Sequence, residues 1–203
     1  MSSVIVENSA GFLLETMSLD GGLEAVAQQD EENIIEINGD AEIGIIGGSM
    51  GDTITTGAGG AIVFAGDGND MIMGGNGDDI FRGGDDDDVI RSGLGDDIVI
   101  GGEGKDILRG GLGADMLNGG SGDDIFEFSA QEFEDDSMDK IMDFKDDDFA
   151  DAIKIFDVGA DGNVVYNSGT GMVSVNGKEA IDVGANQDIT IEMNGENGTW
   201  DLI

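Results

Sequence analysis

Cysteine, histidine and proline are all absent from this chain of 203 residues. Without cysteine no disulfide holds the fold together, and without cysteine and histidine the common zinc ligands are missing. Histidine is also the usual base beside a catalytic serine, so we do not interpret the G-x-S-x-G pattern at residues 47–51 as a nucleophile site. We therefore predict that the protein is not an enzyme.

Basic residues are scarce, with 8 Lys and Arg against 45 Asp and Glu and a formal net charge of −37. Because like charges repel, nucleic acid and anionic membrane surfaces are not expected partners. No run of eighteen apolar residues occurs, which predicts that no helix spans a membrane. Aromatic residues make up 5% of the chain, a content that ordinarily indicates weak packing or disorder unless a ligand supplies stability.

A nine-residue repeat runs ten times from residue 38 to residue 127. Two of its clearest units are GGNGDDIFR (74–82) and SGLGDDIVI (92–100). The second place is glycine and the eighth place is apolar in every unit, and the sixth place is Asp in all units except those with Ile43 and Ala61. Three columns in the same phase indicate a repeated structural unit and not a bias of composition.

Each column has a physical role in such a unit. The glycine-rich first half can form a tight turn through backbone conformations that are open mainly to glycine. The last three places alternate as a short strand does, which sends the eighth side chain to one face. Two units then make a coil of 18 residues, and successive coils stack as parallel strands about 4.8 Å apart. The sixth-place Asp of one coil is expected above the Asp 18 residues earlier, with the apolar column filling the interior.

The unit resembles G-G-x-G-x-D-x-U-x, with U apolar, which is the repeat of the RTX, or hemolysin-type calcium-binding, proteins. The resemblance covers residues 38–127 and is strongest over residues 65–127. It implies an all-β fold: a right-handed parallel β-roll, a solenoid of nonapeptide repeats stacked with calcium, followed by a C-terminal β cap. It also implies that main-chain carbonyls of the glycine turns complete the six to eight oxygens that calcium requires.

Stacking assigns the sixth-place Asp residues to two sides of the roll, and all eight are candidate calcium ligands. One side holds Asp52, Asp70, Asp88, Asp106 and Asp124, and the other holds Asp79, Asp97 and Asp115. Ions held between coils would use the pairs Asp70/Asp88, Asp88/Asp106, Asp106/Asp124, Asp79/Asp97 and Asp97/Asp115. Asp52/Asp70 is a weaker sixth site, because the glycine of the turn at 47–51 is displaced by one residue. The predicted cofactor is therefore calcium, about five to six ions.

The alternative to calcium is a metal-free solenoid with a solvated acidic edge. Residues 65–127 hold 16 Asp and Glu against 4 Lys and Arg, a net charge of −12. Stacked carboxylates without a cation repel one another at close range, where the local dielectric is low. The charge of the repeat region therefore favours bound calcium.

The flanking segments are expected to close the two ends of the roll. Residues 1–37 are a candidate N-terminal capping segment, and residues 38–127 form the roll itself. Residues 128–203 are predicted to hold an acidic capping segment, a small β cap and a candidate C-terminal secretion signal. Strands of the β cap are expected at 164–166, 172–175, 180–183 and 189–191.

The first twenty residues contain no Lys or Arg and no uninterrupted apolar core, so they do not resemble an N-terminal signal peptide. RTX-like proteins commonly leave bacteria through a type I secretion apparatus that reads an uncleaved C-terminal signal. The resemblance therefore implies a secreted, extracellular protein whose partners are calcium and such an apparatus.

Two functions remain open at this point. The first is a secreted, non-catalytic calcium-binding protein that folds on binding extracellular calcium. The second is an accessory glycan-binding or adhesive module that works with a polysaccharide-modifying enzyme or a cell-surface assembly. In the second case extracellular polysaccharide or a cell surface is a partner, and glycan binding distinguishes the two functions.

Two outward-facing places are candidate interaction surfaces. The seventh place is expected to form an apolar stripe on each sheet, with Ile80, Val89, Ile98, Ile107, Met116 and Ile125. Apolar residues of this kind suit strands, and we expect the caps to cover part of the stripe. The alternative is that the stripe forms an interface with a partner or with a second copy of the chain. Arg91 and Arg109, one coil apart in the ninth place, are expected to balance neighbouring acids, with an anionic glycan as the alternative ligand.

Overall fold

The computed structural model describes residues 3–8, 13–18, 23–26, 32–38, 43–135, 137–144, 151–159, 162–185, 191–194 and 199–202. Over these residues the chain forms 21 strands and one 3-10 turn at Glu132–Asp135. The described ranges contain no α-helix, and thus no helix that is long and apolar enough to cross a membrane. The predicted all-β class is confirmed.

The strand bounds follow the nine-residue period through the repeats. The first eleven strands are β1 (Ser3–Asn8), β2 (Leu13–Ser18), β3 (Leu23–Val26), β4 (Asn33–Asn38), β5 (Ile43–Ile46), β6 (Thr53–Thr55), β7 (Ala61–Asp67), β8 (Met71–Met73), β9 (Ile80–Asp85), β10 (Val89–Leu94) and β11 (Ile98–Glu103). The others are β12 (Ile107–Leu112), β13 (Met116–Ser121), β14 (Ile125–Ser129), β15 (Asp139–Ile141), β16 (Ala152–Phe156), β17 (Val164–Asn167), β18 (Met172–Val175), β19 (Lys178–Asp182), β20 (Ile191–Asn194) and β21 (Thr199–Leu202).

The strands of the repeats alternate between two sheets. Sheet A has the order β2-β1-β4-β6-β8-β10-β12-β14-β16-β21-β20, and sheet B has the order β17-β18-β19-β15-β13-β11-β9-β7-β5-β3. Neighbouring strands of the repeats are parallel and their register advances by 18 residues, with Ile90 opposite Leu108 in sheet A and Val99 opposite Leu117 in sheet B. The predicted coil of two units is therefore confirmed, and the stacked coils form a parallel β-roll.

A single stack of apolar side chains fills the space between the sheets. The eighth-place residues all have a relative exposure of 0%: Ile45, Ile54, Val63, Ile72, Phe81, Ile90, Val99, Leu108, Leu117 and Phe126. The seventh- and ninth-place residues on either side of them point outward, as the alternation along a strand requires. The apolar column of the sequence is thus the core of the roll.

Backbone approaches backbone in the turns, and glycine is required there. Gly84, in the second place, has a φ of 139°, and a Cβ built on it would lie 1.8 Å from the carbonyl oxygen of Gly66 in the preceding coil. A larger residue fits neither this conformation nor this space. Asp86, in the fourth place, has a φ of 77°, whereas the fourth places of the neighbouring units hold Gly77 and Gly95.

Strands outside the ten units extend both sheets. β3 and β4 lie parallel to β5 and β6, whereas β1 pairs in antiparallel fashion with β4 and β2. At the other end β15 and β16 continue the parallel stacking on β13 and β14. Antiparallel strands follow, β17 to β19 in sheet B and β20 with β21 in sheet A. The parallel stacking therefore continues beyond the repeats at both ends.

The predicted strands of the C-terminal cap agree with the structure at three of four places. The segments 164–166 and 172–175 lie in β17 and β18, and β19 begins two residues before the predicted 180–183 segment and ends at Asp182. Of the fourth segment only Ile191 lies within the described residues, where it begins β20. Phe144, in the segment after the repeats, packs edge-on against Phe126, the last eighth-place residue of the core, with ring centroids 6.3 Å apart.

Replacing Asp86 by glycine is expected to stabilise the roll. The positive φ of Asp86 is costly for a residue with a Cβ, so Asp86→Gly should raise the free energy of unfolding by about 0.5–1 kcal/mol. Urea unfolding followed by circular dichroism at one calcium concentration measures this change.

The matched control is Asp85→Gly, which removes a carboxylate next to Asp86 at a position without a positive φ. It should not stabilise the roll, because glycine adds entropy to the unfolded chain without relieving strain. An equal gain for both variants would assign the effect to charge and not to backbone conformation.

Candidate metal centre

The sixth-place Asp side chains lie in two rows inside the turns, one along each edge of the roll. All eight are buried, with relative exposures of 1–2%. Asp52, Asp70, Asp88, Asp106 and Asp124 succeed one another in the turns that lead into sheet A, and Asp79, Asp97 and Asp115 do so in the turns that lead into sheet B. The structure therefore groups these residues as the 18-residue stacking predicts.

One oxygen of each carboxylate joins two successive coils. In seven of the eight residues Oδ1 accepts a hydrogen bond from the backbone N–H of the sixth-place residue one coil earlier. In the first row the donors and acceptors are Asp52 to Asp70 (2.6 Å), Asp70 to Asp88 (2.8 Å), Asp88 to Asp106 (2.9 Å) and Asp106 to Asp124 (2.9 Å). In the second row they are Ala61 to Asp79 (2.6 Å), Asp79 to Asp97 (2.7 Å) and Asp97 to Asp115 (2.9 Å).

The second oxygen has no such partner in seven of the eight residues. Oδ2 is buried and accepts no hydrogen bond from any described residue in Asp70, Asp79, Asp88, Asp97, Asp106, Asp115 and Asp124. Asp52 differs, because its Oδ1 accepts from the backbone and side-chain nitrogens of Asn33 and its Oδ2 accepts from the backbone N–H of Gly48. A buried carboxylate oxygen without a partner is costly, so these seven atoms require a positive ligand or a proton.

Four of the unpaired oxygens, those of Asp88, Asp106, Asp115 and Asp124, lie beside the first-place glycine of their own turn. A Cβ built on Gly101 would lie 2.1 Å from Oδ2 of Asp106 and 2.6 Å from the carbonyl oxygen of Gly119 in the next coil. A Cβ on Gly83 would likewise lie 1.9 Å from Oδ2 of Asp88. Beside Gly101 a carboxylate and a main-chain carbonyl thus converge on one point. Oxygen donors of these two kinds are what calcium, a hard cation, binds.

Burial raises the pKa of every carboxyl group in the two rows. The pKa rises from the ordinary value of 3.8 to about 8 for Asp88, to about 6 for Asp97 and Asp106, and to about 7 for the others with an unpaired oxygen, which are Asp70, Asp79, Asp115 and Asp124. Loss of hydration is the largest cause, and repulsion from neighbouring acidic side chains adds to it, from Glu32 at Asp52 and from Asp residues at the others. Ionising the carboxyl groups of the two rows without a bound cation is therefore energetically costly.

The segment after the repeats supplies carboxylates that continue both rows, which the repeat pattern did not predict. Asp139 Oδ1 accepts from the N–H of Asp115 (3.0 Å), and Asp151 Oδ1 accepts from the N–H of Asp124 (3.1 Å). The spacings are 24 and 27 residues instead of 18. The signal in the sequence is an Asp two residues before a buried apolar residue, as in Asp139 with Ile141, without the glycine turn that precedes it in a repeat.

Exposed carboxylates in the fifth place bond the coils in the opposite direction. Asp78 Oδ1 accepts from the N–H of Asp96 one coil later (3.0 Å), and Asp96 Oδ1 accepts from the N–H of Ala114 (2.9 Å). Asp87 Oδ1 similarly accepts from the N–H of Lys105 (2.8 Å). Sixth-place side chains thus reach back by one coil and fifth-place side chains reach forward by one.

No group of three or more Asp, Glu, His or Cys side chains within the described part of the chain surrounds a common point. A cation between two coils would therefore have to draw main-chain oxygens into its coordination shell. The turn carbonyls that face Oδ2 are suitable, and calcium accepts carbonyl oxygens together with carboxylates. The residues present fit calcium.

Arg91 and Arg109 lie opposite each other on neighbouring strands of sheet A, as expected. Arg91 lies 3.7 Å from a carboxylate oxygen of Glu127, and Arg109 donates two hydrogen bonds to Oε1 of Glu132. Both guanidinium groups are paired with acids, which confirms that they balance neighbouring negative charge.

Stacked parallel coils with buried rows of Asp define a calcium-binding β-roll. The protein-family model described as RTX calcium-binding nonapeptide repeat (4 copies) matches residues 46–81, 64–99 and 92–126. This part of the chain is therefore an array of RTX calcium-binding nonapeptide repeats, as the resemblance in sequence indicates. No curated protein and no solved structure matches the chain.

Without calcium, the roll is expected to be more stable in acid than at neutral pH. The folded carboxyl groups have pKa values near 6–8 and the unfolded ones near 3.8, so the folded state holds protons that the unfolded state releases. The free-energy cost of ionising the buried carboxyl groups is absent below about pH 4 and grows until the pH exceeds their pKa values in the folded state. In excess chelator, the urea midpoint and the β signal in circular dichroism should therefore fall between pH 4 and pH 8.

Asp88→Asn removes a buried charge, and Asp85→Asn removes an exposed one from the same turn. The loss of stability with rising pH should be smaller for Asp88→Asn than for the unchanged protein, and it should be nearly unaltered for Asp85→Asn. A chelated protein that gains stability as the pH rises would contradict the burial of ionised carboxylates.

Proposed function

We propose that this calcium-binding β-roll protein is secreted, that it folds when it binds extracellular calcium, and that it performs no catalysis. The observation that supports the proposal is the set of seven buried Oδ2 atoms without a hydrogen-bond partner among the described residues. Each would be satisfied by a divalent cation, and the protein offers them in repeated, equivalent turns.

The proposed ions lie between successive coils, at the pairs Asp70/Asp88, Asp88/Asp106, Asp106/Asp124, Asp79/Asp97 and Asp97/Asp115. The chain supplies the charge through these carboxylates and supplies neutral oxygens through the turn carbonyls. Asp52/Asp70 is proposed as a weaker sixth site, and the hydrogen bonds that occupy both oxygens of Asp52 support this ranking. The proposed content is about five to six ions.

Folding and binding are coupled in this proposal. Calcium binds the folded chain and not the unfolded one, so it shifts the equilibrium toward the roll by mass action. At the low calcium concentration inside a cell the buried carboxylates oppose folding, and the chain is proposed to stay unfolded there. At extracellular calcium concentrations the same residues stabilise the roll.

Secretion through a type I apparatus, with a signal in residues 128–203, belongs to the same proposal. A chain that folds only after it meets calcium can pass through a narrow channel in an unfolded state. The flanks, residues 1–37 and 128–203, are proposed to close the ends of the roll at 38–127, and the carboxylates of Asp139 and Asp151 support this role for the second flank. The pairing of Arg91 and Arg109 with acids gives no support to an anionic glycan as their ligand.

Removal of calcium is expected to unfold the protein at neutral pH. Far-ultraviolet circular dichroism in chelator should show a largely disordered chain, and titration with calcium should restore a β spectrum with a midpoint of roughly 10⁻⁴ to 10⁻³ M. Native mass spectrometry of the titrated protein should count about four to six ions. A β spectrum that persists in excess chelator at pH 8, or a count of two ions or fewer, would contradict the proposal.

Asp97→Asn is expected to weaken calcium-dependent folding more than Asp52→Asn. Asp97 belongs to two proposed sites and has an unpaired Oδ2, whereas Asp52 belongs only to the weaker site. Both substitutions keep an oxygen that can accept the hydrogen bond made by Oδ1. The calcium midpoint should rise roughly threefold or more for Asp97→Asn and less for Asp52→Asn. Equal shifts of the midpoint would show that the two rows do not bind ions as proposed.

A further inference from the structure

The outward face of sheet B carries an uninterrupted apolar row. The seventh-place residues Ile62, Ile80, Ile98 and Met116 stand opposite one another on β7, β9, β11 and β13. Their relative exposures are 46%, 38%, 38% and 41%. Neighbouring parallel strands lie about 4.8 Å apart, so the row is a continuous stripe across the roll.

The ninth place adds a second row beside the first on the same face. Phe64 is 47% exposed and Ile46 is 41% exposed, and they lie opposite each other on β7 and β5. Second-place glycines such as Gly84 and Gly102 follow and keep the face flat, and the exposed third-place residues Asp67, Asp85 and Glu103 border it beyond them. Broad, flat apolar faces are typical of sheets that pack against another sheet.

Negative charge is missing from these two rows although it dominates the chain. Among the described seventh- and ninth-place residues of sheet B from β5 to β15, the charged ones are Arg82 and Lys140, and none is Asp or Glu. The formal net charge of the whole chain is −37. This is therefore a face on which two such chains can meet without opposing carboxylates at the centre of contact.

The outward face of sheet A is different. It carries the ion pairs of Arg91 with Glu127 and Arg109 with Glu132, and the 3-10 turn at 132–135 lies beside it. Its seventh-place residues Val89, Ile107 and Ile125 are only partly exposed, whereas Met71 on β8 is 43% exposed. The 3-10 turn therefore lies against β12 and β14 of sheet A, whereas the central row of sheet B is exposed among the residues that the structure describes.

We propose that sheet B is a dimer interface, on which a second copy of this chain packs face to face. A two-fold axis places the same apolar rows on both sides of the contact, so the face needs to be complementary only to itself. The six strands from β5 to β15 hold 32 residues, which at roughly 3.3 by 4.8 Å each gives about 500 Å² on each copy and about 1,000 Å² buried in total, the lower limit of a specific interface. The dimer is expected to dissociate with a Kd in the micromolar range. It requires the folded roll but not the particular calcium ligands proposed above.

Sedimentation velocity in saturating calcium, over a concentration series, tests the proposal. The unchanged protein should shift from monomer to dimer as its concentration rises. Ile98→Lys, which occurs twice in a two-fold interface, should raise the Kd at least about tenfold. Lysine is compatible with the strand, because Lys140 lies beside Met116 in the same outward column. Added sodium chloride should favour the dimer, because it screens the repulsion between two acidic chains.

Met71→Lys is the matched control, since Met71 is a seventh-place residue with 43% exposure on the face of sheet A. It should leave the Kd unchanged, and circular dichroism of each sample establishes that the roll is folded. A folded protein that stays monomeric to about 1 mM would overturn the proposal and would leave the face for a different partner. Dissociation by Met71→Lys as strong as that by Ile98→Lys would also overturn it.

Discussion

Each coil of the roll buries one or two carboxylates against neutral backbone, and much of the remaining structure accommodates them. One oxygen of each group accepts the backbone N–H of the preceding coil and so aligns the two turns, whereas the other oxygen is left without a hydrogen-bond donor in seven places. One carboxylate oxygen therefore links two coils, whereas the other oxygen of the same side chain carries negative charge without a partner. Because a buried charge is costly unless it is paired, the stability of the fold depends on the ligand that pairs with these carboxylates.

The two glycines that open a unit answer different demands. The second glycine allows a positive φ and a close approach of backbones, as at Gly84. The first glycine leaves room for the carboxylate of its own unit, since a Cβ on Gly83 would overlap Oδ2 of Asp88. Small side chains are also found there: Ala65 and Ser92 occupy the first place of units that keep their Asp, and both are buried.

The parts of the fold that depend on the period could be predicted, and those that depend on the ends could not. Registers, the core and the two rows follow from an 18-residue coil, because parallel stacking repeats the same contacts in every turn. Asp139 and Asp151 take their places in the rows through chain segments of irregular length, so no spacing indicated them. The apolar stripe was expected on both sheets, but its different exposure depends on where the cap packs, which is a tertiary contact that local pattern does not encode.

Side-chain hydrogen bonds join each coil to the coil before it and to the coil after it, and they determine how the roll responds to force. Asp88 reaches back to the N–H of Asp70 while Asp87 reaches forward to the N–H of Lys105, so a single turn holds both of its neighbours. The outermost layer of the stack has a neighbour on one side only, so it makes fewer of these hydrogen bonds and resists tension least. Force applied to the chain ends would therefore peel the roll from its termini, one coil at a time, and each step would release 18 residues, or roughly 60 Å of extended chain.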